Sequence, residues 1–135
     1  MTAGSRVLDA SALVALLQDE AGAARVEGAL QDFCYMSAVN LAEVLCRLTR
    51  HGEEPAEALA RLHALEIVGG GLEVVPFDES AAERVARFYP ATRAAGLSIG
   101  DLACLDLAAR LDLPALTGDH DWTRVDLGVP IELFR

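Results

Sequence analysis

The chain has 135 residues, is 53% hydrophobic and carries 21 acidic against 11 basic residues, a formal net charge of −10 at pH 7. Every basic residue is Arg; the absence of Lys excludes mechanisms built on a catalytic lysine, such as a Schiff base or a P-loop lysine. So acidic a chain repels nucleic acid as a whole and attracts basic peptides, and an RNA or DNA substrate would need cations to reverse the field locally.

The N-terminal MTAGSR is short and polar and does not read as a signal peptide. Residues 6–8 read as a short buried strand, followed by helices over 11–18 (SALVALLQ) and about 20–31. FCYMS, 33–37, reads as a second strand. From Ala38 to about Arg50, Leu41, Val44, Leu45 and Leu48 fall at i, i+3, i+4, i+7, which predicts an amphipathic helix that Gly52 stops. Pro55 starts a helix to about Val68, with Leu59, Leu62 and Leu65 on one side, and Gly69-Gly70-Gly71 reads as a turn rather than a phosphate cradle. LEVVPF is a third strand. Ser80-x-x-Glu83 reads as a capping box opening a helix to about Thr92, and a second box, Ser98 with Asp101, opens the helix 97–111. PALT, 114–117, is a fourth strand, and VPIELF, 129–134, a fifth at the edge.

Strands alternate with helices throughout, so the chain is expected to form one α/β domain over residues 1–135, with a mainly parallel sheet of four or five strands covered on both faces. The apolar fraction and a mean hydropathy of +0.29 supply a core without staples, and are high enough to suggest cover by a partner or a second copy of the chain. Cys34, Cys46 and Cys104 are odd in number, form no CxxC and lie in apolar stretches, so they read as reduced core thiols of a cytoplasmic protein. No apolar run reaches membrane-spanning length.

In an open parallel sheet, ligands bind beyond the carboxyl ends of the strands. Four segments place acids in that zone: Asp9 after strand one, Glu43 early in the helix after strand two, Asp101 at the start of the helix before strand four, and Asp119 in TGDHDW after strand four, with Asp121 close by. Each has a plainer explanation. Asp9 could cap the following helix, Glu43 could pair with Arg47 for about 0.3–0.5 kcal/mol, Asp101 suits a helix N-terminus, and Asp119 and Asp121 could be turn residues. Together they are harder to dismiss: like charges about 4 Å apart repel by roughly 4 kcal/mol at an effective dielectric near 20, so gathered carboxylates call for protons or a cation. An all-oxygen ligand set suits Mg²⁺ or Mn²⁺, ions that bridge phosphate oxygens and activate water, as phosphodiester hydrolysis requires.

RVLDASALVALL, SAVNLAEVL, LSIGDLACLDLAARL and PALTGDHDW, in this order and spacing, resemble a PIN-domain ribonuclease of the VapC toxin type found in bacterial toxin–antitoxin pairs. The resemblance spans essentially the whole chain. It implies a PIN-like three-layer α/β/α sandwich and a Mg²⁺- or Mn²⁺-dependent endoribonuclease that leaves a 3′-hydroxyl and a 5′-phosphate. Its acids would be Asp9, Glu43, Asp101 and Asp119, with Asp121, just before Trp122, as the alternative fourth. It further implies a homodimer silenced by a cognate antitoxin, often through an Arg entering the acidic pocket.

Around these acids, Ser11 could bond a bound water or phosphate, or cap the helix; Thr117 could orient a carboxylate or be a plain strand residue; Asn40 could support the acids or form a cap-like Asn40-x-x-Glu43. His120 reads as an exposed turn residue rather than a ligand, and His51 and His63 as surface or helix-end residues. Arg47, Arg50 and Arg124 are candidates to hold RNA phosphates. The helices 38–50 and 55–68 would offer an antitoxin helix a groove. Two competing readings are a non-catalytic PIN-like interaction module, which would be expected to have lost an acid, and a receiver-type phosphotransfer protein, which needs the Lys this chain lacks.

Overall fold

The structure is a computed structural model and describes residues 4–135; the first part of the polar N-terminal stretch lies outside the described residues. Strand β1 (Val7–Leu8) leads through Asp9 into α1 (Ala10–Leu17), and α2 (Ala23–Leu30) precedes β2 (Cys34–Ser37). Then come α3 (Ala38–Arg50), α4 (Pro55–Ala64), β3 (Leu72–Val75), α5 (Glu79–Thr92), α6 (Ile99–Leu111), β4 (Ala115–Thr117) and β5 (Ile131–Leu133), with short 3₁₀ turns at Arg93–Ala95 and His120–Arg124.

The five strands form one sheet in the order β3-β2-β1-β4-β5, and every pairing is parallel. Alternation along the strands supplies both faces. Leu8, Met36, Leu72 and Leu116 pack with α1, α2, α3 and α4 on one side. Val7 and Ala115 pack with Val85 of α5, with Leu102 and Leu105 of α6, and with Trp122 on the other. The expected three-layer α/β/α sandwich is therefore the observed one, and VPIELF does supply an edge strand.

Local chemistry sets the helix starts. Asp9, Ser37, Glu54 and Asp78 each accept a hydrogen bond from a first-turn N–H of the helix they precede. Both halves of the Ser98–Asp101 capping box are present. The other expected box is not: α5 is capped by Asp78, whose carboxylate takes the Ala81 N–H at 2.9 Å, so Ser80 and Glu83 lie inside the helix. Asp78 lies two residues before Ser80 and takes the capping position ahead of the Ser-x-x-Glu spacing. Helix α4 ends at Ala64 rather than Val68, because Ile67 and Val68 both return their N–H groups to the Leu62 carbonyl and Glu66 turns left-handed at φ 56°. Leu65 is consequently thrown outward, 57% exposed, while Ala58 and Leu62 face the core. Cys34 and Cys104 are buried as expected, but Cys46 is exposed, since it lies on the outer side of α3.

β1 sits in the middle of the sheet. The chain builds outward from it through β2 to β3, then returns to place β4 on its other side. The change of direction opens a crevice beyond the ends of β1 and β4, where ligands of open α/β sheets bind.

Candidate metal centre

Asp9 is the first residue beyond β1 and also the N-cap of α1, so cap and candidate ligand are the same side chain. Its Oδ1 accepts from the Ala12 N–H at 3.0 Å and the Ser11 hydroxyl at 2.7 Å. Its Oδ2 accepts from the Thr117 hydroxyl at 2.6 Å. Three donors leave part of a carboxylate's roughly four lone-pair sites available for a further partner. The residue is only 6% exposed. Its pKa is raised from 3.8 to about 6: burial is the largest cause, the hydrogen bonds from Thr117, Ser11 and Ala12 work against it, and the charge of Asp101 adds to the rise.

Ser11 and Thr117 are therefore neither helix cap nor plain strand residue: both hold Asp9. Ser11 also accepts the Gly118 N–H at 3.0 Å, and Thr117 accepts the Asp119 N–H at 3.0 Å, so two hydroxyls tie the end of β1 to the end of β4.

Glu43 stands one turn into α3. It makes no ion pair with Arg47 among the described residues; instead Asn40 Nδ2 donates to Glu43 Oε1 at 2.8 Å and to the Gly100 carbonyl at 3.0 Å. With two acceptors facing it, the amide nitrogen of Asn40 is fixed, and its buried Oδ1 is left without a partner. Gly100 has no Cβ where one would collide with the Glu43 carboxylate, which is how α3 and α6 approach at this point.

Asp101, in the first turn of α6, accepts the Ser98 N–H at 2.9 Å. Its pKa is raised, first by burial and then by the charge of Asp119, against the hydrogen bonds from Ser98. The Trp122 ring is fully buried alongside, its indole N–H directed toward Asp101 without reaching hydrogen-bond geometry. Asp119 caps the 3₁₀ turn by accepting the Asp121 N–H at 2.9 Å.

Asp9, Glu43, Asp101 and Asp119 line one pocket of about 380 Å³, together with Ala10, Ser11, Arg47, Gly118 and Arg135. Beneath it the buried Cys104 thiol is pushed well above its ordinary pKa, first by burial and then by the charges of Asp9, Asp101 and Glu43. Asp121 points elsewhere: it is exposed and pairs with Arg124 at 3.5 Å. His120 is exposed too, its Nε2 within 3.0 Å of the Arg135 carbonyl. Of the arginines considered for phosphate, Arg47 lines the pocket, whereas Arg50 and Arg124 do not. Arg135 was not foreseen, and no sequence signal could have placed it there, because only the pairing of β5 with β4 brings the end of the chain to this crevice.

The donor set suits a hard divalent cation, being all oxygen, and no ion pair within the protein neutralises any of the four pocket acids among the described residues. The pKa values of Asp9 and Asp101 are raised chiefly by burial, with a neighbouring carboxylate adding to each, and a bound cation would favour their charged forms. Among the described residues, however, no three acidic, His or Cys side chains close into a ready-made cage; the carboxylates flank the pocket.

A larger groove of about 540 Å³ lies elsewhere, walled by Leu16, Leu17, Leu30, Leu65 and Ile67 with Glu27, Arg61 and Glu66 at its sides. It is formed by α1, α2 and the end of α4, so α3 does not contribute to it as expected. No helix among the described residues is long and apolar enough to cross a membrane.

The PIN domain family matches residues 6–127. No curated protein matches the chain by sequence. Among solved structures, it is similar to a chain of the DNA-bound VapBC from Salmonella typhimurium, with a TM-score of 0.70 and 17% identity over 97% of this chain and 98% of that one. FitAcB from Neisseria gonorrhoeae gives a TM-score of 0.67 and 20% identity over 93% and 94%. A member of the VapBC family of toxin–antitoxin systems from Mycobacterium tuberculosis gives 0.56 and 26% identity over 98% of each chain. With 122 consecutive positions matched and a parallel sheet whose switch point gathers acids from four separate segments, the chain belongs to the PIN-domain family.

Proposed function

We propose that this protein is a divalent-metal-dependent endoribonuclease, the toxin of a VapBC-type toxin–antitoxin pair. The observation that carries this reading is the meeting of Asp9, Glu43, Asp101 and Asp119 in one pocket, with no ion pair to any of them among the described residues. These four would hold one or two Mg²⁺ or Mn²⁺ ions, directly or through water. A divalent ion there supplies positive charge against the phosphate and the attacking water in phosphodiester hydrolysis.

The remaining work falls to the chain itself. Thr117 and Ser11 fix both oxygens of Asp9 from the buried side. Asn40 fixes one oxygen of Glu43 and ties α3 to α6 through the Gly100 carbonyl. Asp101 is held by its capping box. Carboxylates pinned in this way do not need to reorganise as charge develops on the reacting phosphate. No histidine is required as general base.

The similar structures from VapBC complexes support an antitoxin partner, and the apolar groove beside α1, α2 and α4 is where an amphipathic helix of that partner would bury its apolar face. A homodimer and a cytoplasmic location belong to the same reading. The competing reading is a PIN-like module that binds a partner without catalysis.

Incubating the purified protein with mixed RNA, first in Mg²⁺ and then in EDTA, separates the two. Metal-dependent cleavage that disappears in Asp9→Asn is expected. Cleavage by Asp9→Asn at the wild-type rate, from nuclease-free preparations, would sink the assignment.

A further inference from the structure

On the nuclease reading, a pocket lined by four acids in a chain of net charge −10 has to receive a polyanion. Two cationic side chains line it, and they come from different elements, α3 and the segment after β5. Arg47 lies one turn beyond Glu43 on α3; it is exposed and forms no ion pair among the described residues. Arg135 follows β5, and its guanidinium lies on the Phe134 ring, 5.0 Å from the centroid. It passes close over Gly118, where a Cβ would stand 2.8 Å from Arg135 Nε and 2.9 Å from Phe134 Cζ. Gly118 thus provides the room for this guanidinium beside Asp119. The glycine is required for close approach, since its φ is not in the left-handed region.

Arg135 is tethered by Glu20 at 3.3 Å, but both side chains are more than a third exposed. A pair so exposed is weak and screened by salt. A phosphate, which a guanidinium can grip with two parallel N–H donors, competes readily for such a side chain.

We propose that Arg135 and Arg47 bracket the acidic centre as a two-point phosphate clamp, Arg135 on the β4–β5 side and Arg47 on the α3 side. Each holds a phosphate flanking the one at the acids, so that the substrate is a single strand laid across the pocket. This deepens the nuclease reading and rests on it for the identity of the strand, RNA. The arginines act on positioning: they grip the substrate on either side of the reacting phosphate.

The test is binding of a fluorescein-labelled single-stranded RNA, followed by anisotropy over a range of salt concentrations in Mg²⁺, in an Asp9→Asn background that leaves the strand whole. Arg135→Gln and Arg47→Gln are each expected to weaken binding several-fold and to lower the slope of log affinity against log salt by about 0.7, the contribution of one single-strand phosphate contact. Arg135→Lys should keep the slope, because the charge remains. Glu20→Gln removes the tether but not the clamp and should bind at least as well as its parent; if it reproduces the Arg135→Gln loss, Arg135 is merely structural and the proposal falls. In the active protein, both Gln variants should raise KM more than they lower kcat. Cleavage by an otherwise active protein with KM and salt slope unchanged in both variants overturns the clamp and spares the nuclease. Arginine-dependent binding without cleavage by the wild type overturns the nuclease and spares the clamp.

Discussion

The Thr117 hydroxyl donates to Asp9 Oδ2 at 2.6 Å across 108 positions of sequence, with both residues buried. This bond joins the ends of two neighbouring strands and is the main side-chain restraint on the Asp9 charge. Thr117→Val keeps the shape and removes the donor. Because the bond is to a charged group, the expected loss is about 1.5–3 kcal/mol when Asp9 is ionised. It should shrink once Asp9 is protonated. Urea unfolding at pH 5 and at pH 7.5 checks this; an equal loss at both would mean that the hydroxyl serves the strand rather than the carboxylate.

The raised pKa of Asp9 makes stability depend on pH in a definite direction. Between 3.8 and about 6 the folded metal-free protein binds more protons at this site than the unfolded chain does. Stability from this group is therefore complete below about 3.8 and is lost as pH rises through about 6. The shift corresponds to about 3 kcal/mol as an order of magnitude, and Asp101, raised for the same leading reason, adds in the same direction. In EDTA, Asp9→Asn should gain stability over the wild type at pH 7.5 and lose that advantage near pH 4. Denaturant midpoints of the two proteins across this range provide the measurement.

Divalent cations should reverse that penalty. Mg²⁺ or Mn²⁺ at about a hundred times its Kd would add roughly 2.7 kcal/mol of stability, read as a rise in Tm that EDTA abolishes. Asp9→Asn, Glu43→Gln and Asp119→Asn should each blunt the rise, whereas Asp121→Asn should leave it, since Asp121 faces Arg124 and solvent. A rise that survives Asp119→Asn but not Asp121→Asn would exchange their roles.

Gly100→Ala separates the site from the fold. A Cβ there would meet the Glu43 carboxylate, the movable end of a side chain, so the structure can yield by displacing Glu43. Alanine is the better helix former by roughly 0.5–1 kcal/mol. The variant is expected to keep or slightly raise its Tm while its metal-induced rise and its RNA cleavage fall by at least tenfold. A lower Tm with cleavage intact would contradict this account of the α3–α6 contact.

Periodicity and local caps are short-range, so the sequence by itself determined the alternation of strands and helices, the start of α6 at Ser98 and Asp101, the parallel three-layer plan, and four acids poised to follow strands or open helices. Where a reading failed, a local competitor prevailed: Asp78 capped α5 in place of Ser80, and the Leu62 carbonyl ended α4 early. Only the tertiary structure puts Asp119 in the pocket with Asp9 and leaves Asp121 outside it, because Asp119 precedes the 3₁₀ turn and Asp121 lies within it, and nothing in their spacing says which one faces Asp9. It also turned Ser11, Thr117 and Asn40 into supports for carboxylates, and carried Arg135 beside Asp119 from the far edge of the sheet. The Thr117–Asp9 and Gly118–Ser11 bonds join residues 108 and 107 positions apart, and chain closure over such distances is set by strand order, which no local pattern records.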